Sequence, residues 1–387
     1  MNRCYNFNAM NKRIMLVAGE ASGDLHGANL IKALKQLNPE LEVSGIGGPL
    51  MSQAGAKIHY NMMNLAVVGF TEVIKNLNEF KRVFKMLLEK LDSEKPRCVV
   101  LIDYPGFNLR FAREVKKRSI PVVYYISPQV WAWGKERIRL IKELVDRMLV
   151  IFEFEKAFYE KEGVDTTFVG HPLLDIVQPS MSLEEALSKF GLQNGKLTIS
   201  LLPGSREKEV LRILPIMLKS AILIKNIYPD TQFLLQEAPS VLPGIFNSIT
   251  KDYPIPLHIV RGNNYDVLNV SDITMVCSGT LTLEAAIMQK PMLVIYKVSL
   301  LTGFMLRPII RIPYIALVNV VAGKKVVPEF IQSNAKPELI ADEVSRLLND
   351  RVKRDEMIEE LTKVRERLGS PGASLRAAKE ILDFIAV

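Results

Sequence analysis

Asp103 closes the apolar run Cys98-Val99-Val100-Leu101-Ile102 and opens the turn Tyr104-Pro105-Gly106-Phe107-Asn108. A carboxylate at the carboxyl end of a buried strand faces the crevice where open α/β sheets bind ligands. There it can take a proton from an attacking hydroxyl. The other role open to Asp103 is to cap the next helix or to hold the Pro-Gly turn. Asn108, on the far side of that turn, is a candidate substrate contact. A second loop, Ala18-Gly19-Glu20-Ala21-Ser22-Gly23-Asp24-Leu25-His26-Gly27, spaces Gly19, Gly23 and Gly27 four residues apart ahead of a helix. Glycines let backbone approach a ligand closely, and a helix N-terminus favours an anion. Glu20 and His26 are the alternative proton acceptors to Asp103; Ser22, Gly23 and Asp24 are candidate contacts. The spacing is not GxGxxG, so no dinucleotide fingerprint is present. Ser22 or Asp24 acting as a simple helix cap remains the alternative.

Two more loops suit a phosphorylated ligand. Leu201-Leu202-Pro203-Gly204-Ser205-Arg206 leads from a strand into a long helix. The backbone N–H groups near Gly204, the Ser205 hydroxyl and the Arg206 guanidinium make a diphosphate site. GxxxxGK[ST] is absent, so nothing supports ATP hydrolysis. Ser278-Gly279-Thr280 is a small hydroxyl-rich turn, and Glu284 follows in the first turn of a helix. Glu284 can accept both hydroxyls of a ribose, or simply complement the helix dipole. The octet Ser127–Gly134 holds both tryptophans, Trp131 and Trp133. Flat aromatic faces suit sugars or acyl chains, although two tryptophans more often serve packing than recognition. His171, in Gly170-His171-Pro172, can bond a phosphate or a sugar, or stiffen a hinge. Asn319, Glu329 and Gln332 are polar groups in an otherwise apolar stretch and suggest the edge of a cleft.

These loops need a scaffold that ends strands beside one another. Short Val/Ile/Leu-rich runs at 13–18, 41–46, 98–102, 122–126 and 148–152 form one series. A second series runs through 197–202, 232–236, 257–260, 273–276 and 292–296. Helical patterns lie between them, for example at 24–37, 110–118, 207–227 and 282–289. Such alternation predicts parallel sheets covered on both faces by helices. The stretch 173–192 reads as a hinge and a short helix, and three helices, at 337–349, 351–368 and 373–384, end the chain.

The composition narrows the field. Of 387 residues, 48% are hydrophobic and 24% charged, enough apolar surface for packed cores and too much for a disordered chain. No window approaches the ~18 uninterrupted apolar residues of a spanning helix, and the first residues resemble no secretory signal. Residues 1–11 read as a flexible extension. Cys4, Cys98 and Cys277 form no CxxC or Cys/His cluster, so neither a disulfide framework nor a metal site is expected, and reducing cytoplasm is the simplest compartment. Lys and Arg number 50 against 42 Asp and Glu, a surplus of +8 that favours anionic partners. The basic residues are dispersed, so no nucleic acid is expected.

Taken in order, the loops resemble the lipid-A-disaccharide synthases. The matching pieces are Gly19–Asp24 (GEASGD), Ile102–Asn108 (IDYPGFN), SPQVWAW, Phe154–Tyr159 (FEKAFY), VGH, Leu201–Arg206 (LLPGSR), Ser278–Glu284 (SGT…LE), NVVAGK and PEFIQ. VWAW together with LPGSR is the most specific. The resemblance implies an α/β fold of GT-B type: two doubly wound Rossmann-like domains facing across a cleft, with C-terminal helices. The domains would be 1–172 for the acceptor and lipid and 173–368 for the UDP-sugar. The segment 369–387 is a candidate to pack back on the first. It further implies transfer of 2,3-diacylglucosamine from UDP-2,3-diacylglucosamine to 2,3-diacylglucosamine 1-phosphate (lipid X), with inversion to a β-1,6 disaccharide and release of UDP, and no cofactor. In that frame Asp103 is the base, Arg206 and Ser205 stabilise departing UDP, Glu284 holds the uridine ribose, and Asn319, Glu329 and Gln332 complete the donor side.

Acylated substrates imply contact with an anionic phospholipid surface, peripherally, at the cytoplasmic face of the inner membrane. Two segments are candidates. In 73–91, Val73, Leu77, Phe80, Phe84, Leu87 and Leu91 share a helical face edged by Lys81, Arg82, Lys85 and Lys90; 298–317 is apolar apart from Arg307 and Arg311. An ordinary core helix with a basic outer face is the alternative for each. A homodimer stays open. Two other functions compete: an epimerase or a MurG-like transferase using a soluble UDP-sugar, and a non-catalytic sugar-nucleotide-binding or membrane scaffold protein.

Overall fold

The structure is a computed structural model and describes residues 12–64, 77–131, 137–298 and 313–386. The chain divides into two compact units, Met1–Asp175 with Leu368–Val387, and Ile176–Arg367. The boundary therefore falls after Asp175, and the chain re-enters the first unit at Leu368.

The first unit is built on β1 (Arg13–Ala18), β2 (Glu42–Gly47), β3 (Lys57–Asn61), β4 (Cys98–Ile102), β5 (Val122–Tyr125), β6 (Arg147–Val150) and β7 (Thr166–Phe168), in the order β3-β2-β1-β4-β5-β6-β7. The second is built on β8 (Thr198–Leu202), β9 (Gln232–Glu237), β10 (Leu257–Arg261), β11 (Ile273–Cys277), β12 (Met292–Tyr296) and β13 (Glu329–Ile331), in the order β10-β9-β8-β11-β12-β13. Every pairing is parallel. Each residue of β4, β8 and β11 is buried, the pattern expected of strands with helices on both faces.

Both sheets reverse direction once. The chain steps outward from β1 to β3, then returns to β4 beside β1; in the second unit it does the same at β8 and β11. At such a switch point the loops leaving two adjacent strands diverge and open a crevice at the carboxyl ends. The loops that follow β1 and β4 are those of Glu20 and Asp103. Those that follow β8 and β11 are those of Arg206 and Ser278.

Three strands have no counterpart in the sequence reading: β3, β7 and β13. All lie at sheet edges and are half-exposed, so no apolar run marks them. The last helix, Ala373–Ala386, packs against the helix Ala21–Leu37 of the first unit. Arg97 donates to the Ile385 carbonyl, and Arg147 pairs with Glu380.

One expectation needs correcting. The apolar face of the helix Leu77–Glu94, offered above as a membrane contact, is committed to the core of the first unit. Val83, Leu87 and Leu91 are buried, and Phe84 meets Phe107 and Phe111 edge-on with ring centroids 5.6 and 6.0 Å away. The helix packs beside Pro105–Lys117 and closes this core, with Lys81 and Lys85 outward. Val73 and residues 299–312 of the other candidate segment lie outside the described residues. Truncating a buried leucine costs about 2–5 kcal/mol. Leu87→Ala is therefore expected to lower the urea midpoint of unfolding by a corresponding amount; an unchanged midpoint would contradict the inward orientation of this face.

Candidate active site

β4 ends in a backbone kink. Asp103 and Tyr104 both adopt left-handed conformations, with φ of 44° and 50°. Side chains other than glycine resist this region, at roughly 1–3 kcal/mol per residue. Neighbouring groups hold the kink. The Asp103 carbonyl accepts from the Tyr124 hydroxyl and from Asn108 Nδ2, each at 2.6 Å, and Asn108 also donates to the Ile102 carbonyl at 3.2 Å. Gly19 leaves room for the Tyr104 ring, because any Cβ at that position would overlap it. Pro105 then starts the helix Pro105–Lys117 from its first turn, where a missing N–H does no harm.

The kink brings Asp103 to a cavity of about 350 Å³, which Glu20, Tyr104, Ile126, Phe152 and Glu155 also line. Burial, then the charge of Glu20, pushes the Asp103 carboxyl up to about 6, against one opposing backbone N–H. Glu155 is only 1% exposed, and burial pushes its carboxyl up to about 7. It accepts from Ser127 Oγ at 2.7 Å, from Trp131 Nε1 at 3.0 Å and from the Phe152 N–H at 3.3 Å. The sequence places Glu155 inside Phe154–Tyr159 without assigning it a role. Its local signal is a helix-start pattern, an acid two residues into the helix Glu153–Lys161 reaching back to its N-cap. That pattern does not tell that the helix start borders a cavity.

Two histidines belong to the same unit. Burial lowers His26 to about 4; burial and the proximity of His26 lower His171 to about 3. His171 accepts the Leu173 N–H at 3.1 Å and lies against Phe152, while His26 Nδ1 is buried without a partner. Both rings are neutral near pH 7. Asp24 is turned elsewhere: its carboxylate accepts the N–H groups of Gly48, Leu50 and Met51 at 2.8, 3.0 and 3.0 Å and so caps the helix Pro49–Gln53. Ser22 is exposed, and Gly23 is buried under Ala18.

In the second unit, Gly204 has φ of 111°, and a side chain there would come within 2.6 Å of Glu209 and 3.2 Å of the Cys277 sulfur. The exit of β8 thus runs close over the exit of β11. Arg206 caps the helix Glu207–Ile227 and pairs with Glu209 at 2.9 Å, its side chain half-exposed. Ser205 accepts from Ser240 through its carbonyl at 2.7 Å. Gly279 has φ of 148° with open space beside it, and Thr280 begins the helix Leu281–Ile287. Glu284, on that helix, is pushed up to about 7 by burial against a hydrogen bond from Asn264, and its Oε2 is buried without a partner.

Residues 14–381 match the sequence profile of the lipid-A-disaccharide synthetase family. The chain belongs to that family. It is 48% identical over 377 residues to a lipid-A-disaccharide synthase of Syntrophus aciditrophicus, covering 97% of this chain and 98% of that one. It is 45% identical to the enzyme of Geobacter metallireducens with the same coverage. Among solved structures it resembles a UDP-GlcNAc 2-epimerase from Neisseria meningitidis bound to UDP-GlcNAc (TM-score 0.65, 16% identity, 96% and 100% of the two chains). It also resembles an S. aureus MnaA–UDP co-structure (TM-score 0.67, 15% identity, 97% of each). These two likenesses establish the fold, a two-domain α/β fold of the GT-B kind.

Within this family member the remaining polar residues serve the chain itself. Asn319 accepts the Val326 and Val327 N–H groups and donates to the Val327 carbonyl and to Glu329. Glu329 accepts the N–H groups of Ile315 and Ala316, whose loop also receives the Ser278 hydroxyl at the Ile315 carbonyl. Gln332 accepts the Val298 N–H at 3.1 Å. They shape the loop beside Ser278 through main-chain contacts. Trp131 is edge-on to Phe154, while Trp133 lies outside the described residues. Among the described residues no group of three or more His, Cys, Asp or Glu side chains is placed to hold a metal ion, and no helix is long and apolar enough to cross a membrane.

Removing Asn108 leaves two buried carbonyls short of a donor, which costs about 1–3 kcal/mol. Asn108→Ala is expected to lose stability of that order in a thermal or urea melt, whereas Asn108→Asp, which sets a buried carboxyl against two carbonyl oxygens, should lose at least as much. Full stability in the alanine variant would show that Asn108 does not hold the kink.

Proposed function

We propose that the chain catalyses inverting transfer of 2,3-diacylglucosamine from UDP-2,3-diacylglucosamine to lipid X, forming the β-1,6 disaccharide and releasing UDP. Family membership over nearly the whole chain supports the reaction. The observation that carries the mechanism is Asp103 on its strained turn, a carboxylate with a raised proton affinity in a cavity large enough for a sugar.

Asp103 takes the proton of the acceptor 6-hydroxyl as that oxygen attacks the anomeric carbon. The new C–O bond forms as the bond to the β-phosphate oxygen breaks, and UDP leaves with the electron pair. A base is most effective when its pKa approaches the working pH. Asp103 at about 6 is a stronger base than His26 at about 4. The charge developing on UDP suits the Arg206 guanidinium, the Ser205 hydroxyl and the N–H groups at the start of the helix Glu207–Ile227. Glu284, with one unpartnered carboxyl oxygen, suits the ribose hydroxyls. The acyl chains of both substrates bring the reaction to an anionic membrane surface on the cytoplasmic side, and the +8 charge favours peripheral attachment there.

Asp103→Asn is expected to fold, bind UDP and lose about 10²–10⁴ in turnover; near-normal turnover would remove Asp103 from the base role. The base acts deprotonated, so kcat/KM should rise with pH through a limb near 6. Glu20→Gln, by deleting a neighbouring negative charge, should move that limb to lower pH. Arg206→Ala should weaken UDP binding measured by calorimetry, and unchanged affinity together with unchanged turnover would end the phosphate assignment. Equal use of acylated and deacylated donors would favour a transferase for soluble UDP-sugars instead.

A further inference from the structure

Beside Asp103, the wall of the cavity is built from a second strained turn. Ile126, directly after β5, has φ of 63°, and a β-branched residue is rarely found there. Ile126 and Ser127 both line the cavity, as do Asp103 and Tyr104. Left-handed residues from two adjacent strand ends therefore border one space. What holds the second turn comes from the helix Glu153–Lys161. Glu155 accepts from Ser127 Oγ and Trp131 Nε1, and Tyr159, one helical turn on, donates its hydroxyl to the Pro128 carbonyl at 2.9 Å. Residues four apart share a helix face, so one face of this helix grips the loop 126–131 at three points. The carboxyl of Glu155 also binds the Phe152 N–H of its own helix start.

We infer that Glu155 is a positioning residue for the acceptor sugar: its buried carboxyl latches Ser127 and Trp131 and thereby shapes the cavity wall beside Asp103. The acceptor part rests on the proposed function; the latch itself does not. Glu155 is distinct from the base. Its oxygens are occupied by Ser127, Trp131 and Phe152, so it acts on substrate through the loop. The latch is strongest when Glu155 is an anion, because charge-assisted hydrogen bonds exceed neutral ones. Its ionisation falls near pH 7, so the loop should tighten as pH rises through neutrality. Among the described residues, the other titratable groups around it are Asp103 and Glu20 on the same cavity, Tyr159 on its own helix, and His171, against Phe152, with His26 near it. Burial keeps the histidines neutral there and holds the Tyr159 phenol protonated.

The chain has only two tryptophans, which makes the latch visible. In the full-length Trp133→Phe variant, emission reports Trp131 alone. It is expected to shift in a transition centred near pH 7 that survives Asp103→Asn and disappears in Glu155→Gln. A transition that persists in Glu155→Gln, or none at all in the parent, would overturn the latch. In kinetics with lipid X as varied substrate, Glu155→Gln is expected to raise KM about tenfold or more while kcat falls less than threefold. A fall in kcat with KM unchanged would overturn the positioning role. Should Glu155→Gln fail to fold, Ser127→Ala removes one partner only and is expected to raise KM for lipid X severalfold; an unchanged KM would count against the inference. If instead Asp103→Asn keeps its turnover, the proposed chemistry fails while the fluorescence result still judges the latch.

Discussion

The candidate site of the first unit depends on a kink that the backbone resists. Two successive non-glycine residues, Asp103 and Tyr104, sit in the left-handed region at the end of a fully buried strand. An isolated segment of this sequence would relax into an extended or helical path. The surrounding structure prevents that: Tyr124 and Asn108 tie down the Asp103 carbonyl, and Gly19 leaves room for the Tyr104 ring where a Cβ would overlap it. Strain of this kind persists where neighbours over-determine the geometry. Here its result is a carboxylate facing a cavity instead of a helix cap lying on the surface.

That cavity concentrates acids in a poorly solvated space. Burial disfavours charge, so Asp103 and Glu155 are pushed up toward neutrality and the two buried histidines are pushed down. The opposite shifts separate the roles. Imidazoles that protonate only near pH 3 to 4 are poor bases, whereas a carboxylate near 6 can hold a proton in passing. Asp103 and Glu155 differ in their partners. The Asp103 side chain meets the cavity, while Glu155 is tied to a hydroxyl, an indole and a backbone N–H.

The same winding rule is used twice along the chain. In each unit the loops with chemical potential leave the two adjacent strands where the sheet reverses, β1 and β4 in one, β8 and β11 in the other. The first pair of loops carries carboxylates, and the second carries a guanidinium, hydroxyls and a buried acid. The architecture is common to both units, and the loop residues are what distinguish them.

Much of this was legible in the residues. The interior strands are mostly apolar runs, because burial on both faces favours them, and β1, β4 and β12 coincide with the predicted limits. The loops of Glu20, Asp103, Arg206 and Ser278 stood out because polar groups directly after such runs have few structural reasons to be there. Edge strands β3, β7 and β13 left no trace, since half-exposed strands need no apolar pattern. The helix Leu77–Glu94 showed an amphipathic face but could not say whether a membrane or the protein core covers it; Phe84 against Phe107 and Phe111 of the neighbouring helix decides for the core. Asn319, Glu329 and Asp24 looked like ligand contacts, and only folding revealed that main-chain N–H groups occupy them. Glu155 was hidden for the converse reason. Sequence records which side chains carry charge and how far apart they lie along the chain, but a proton affinity depends on what surrounds a group in space, and that surrounding is assembled from segments distant in sequence.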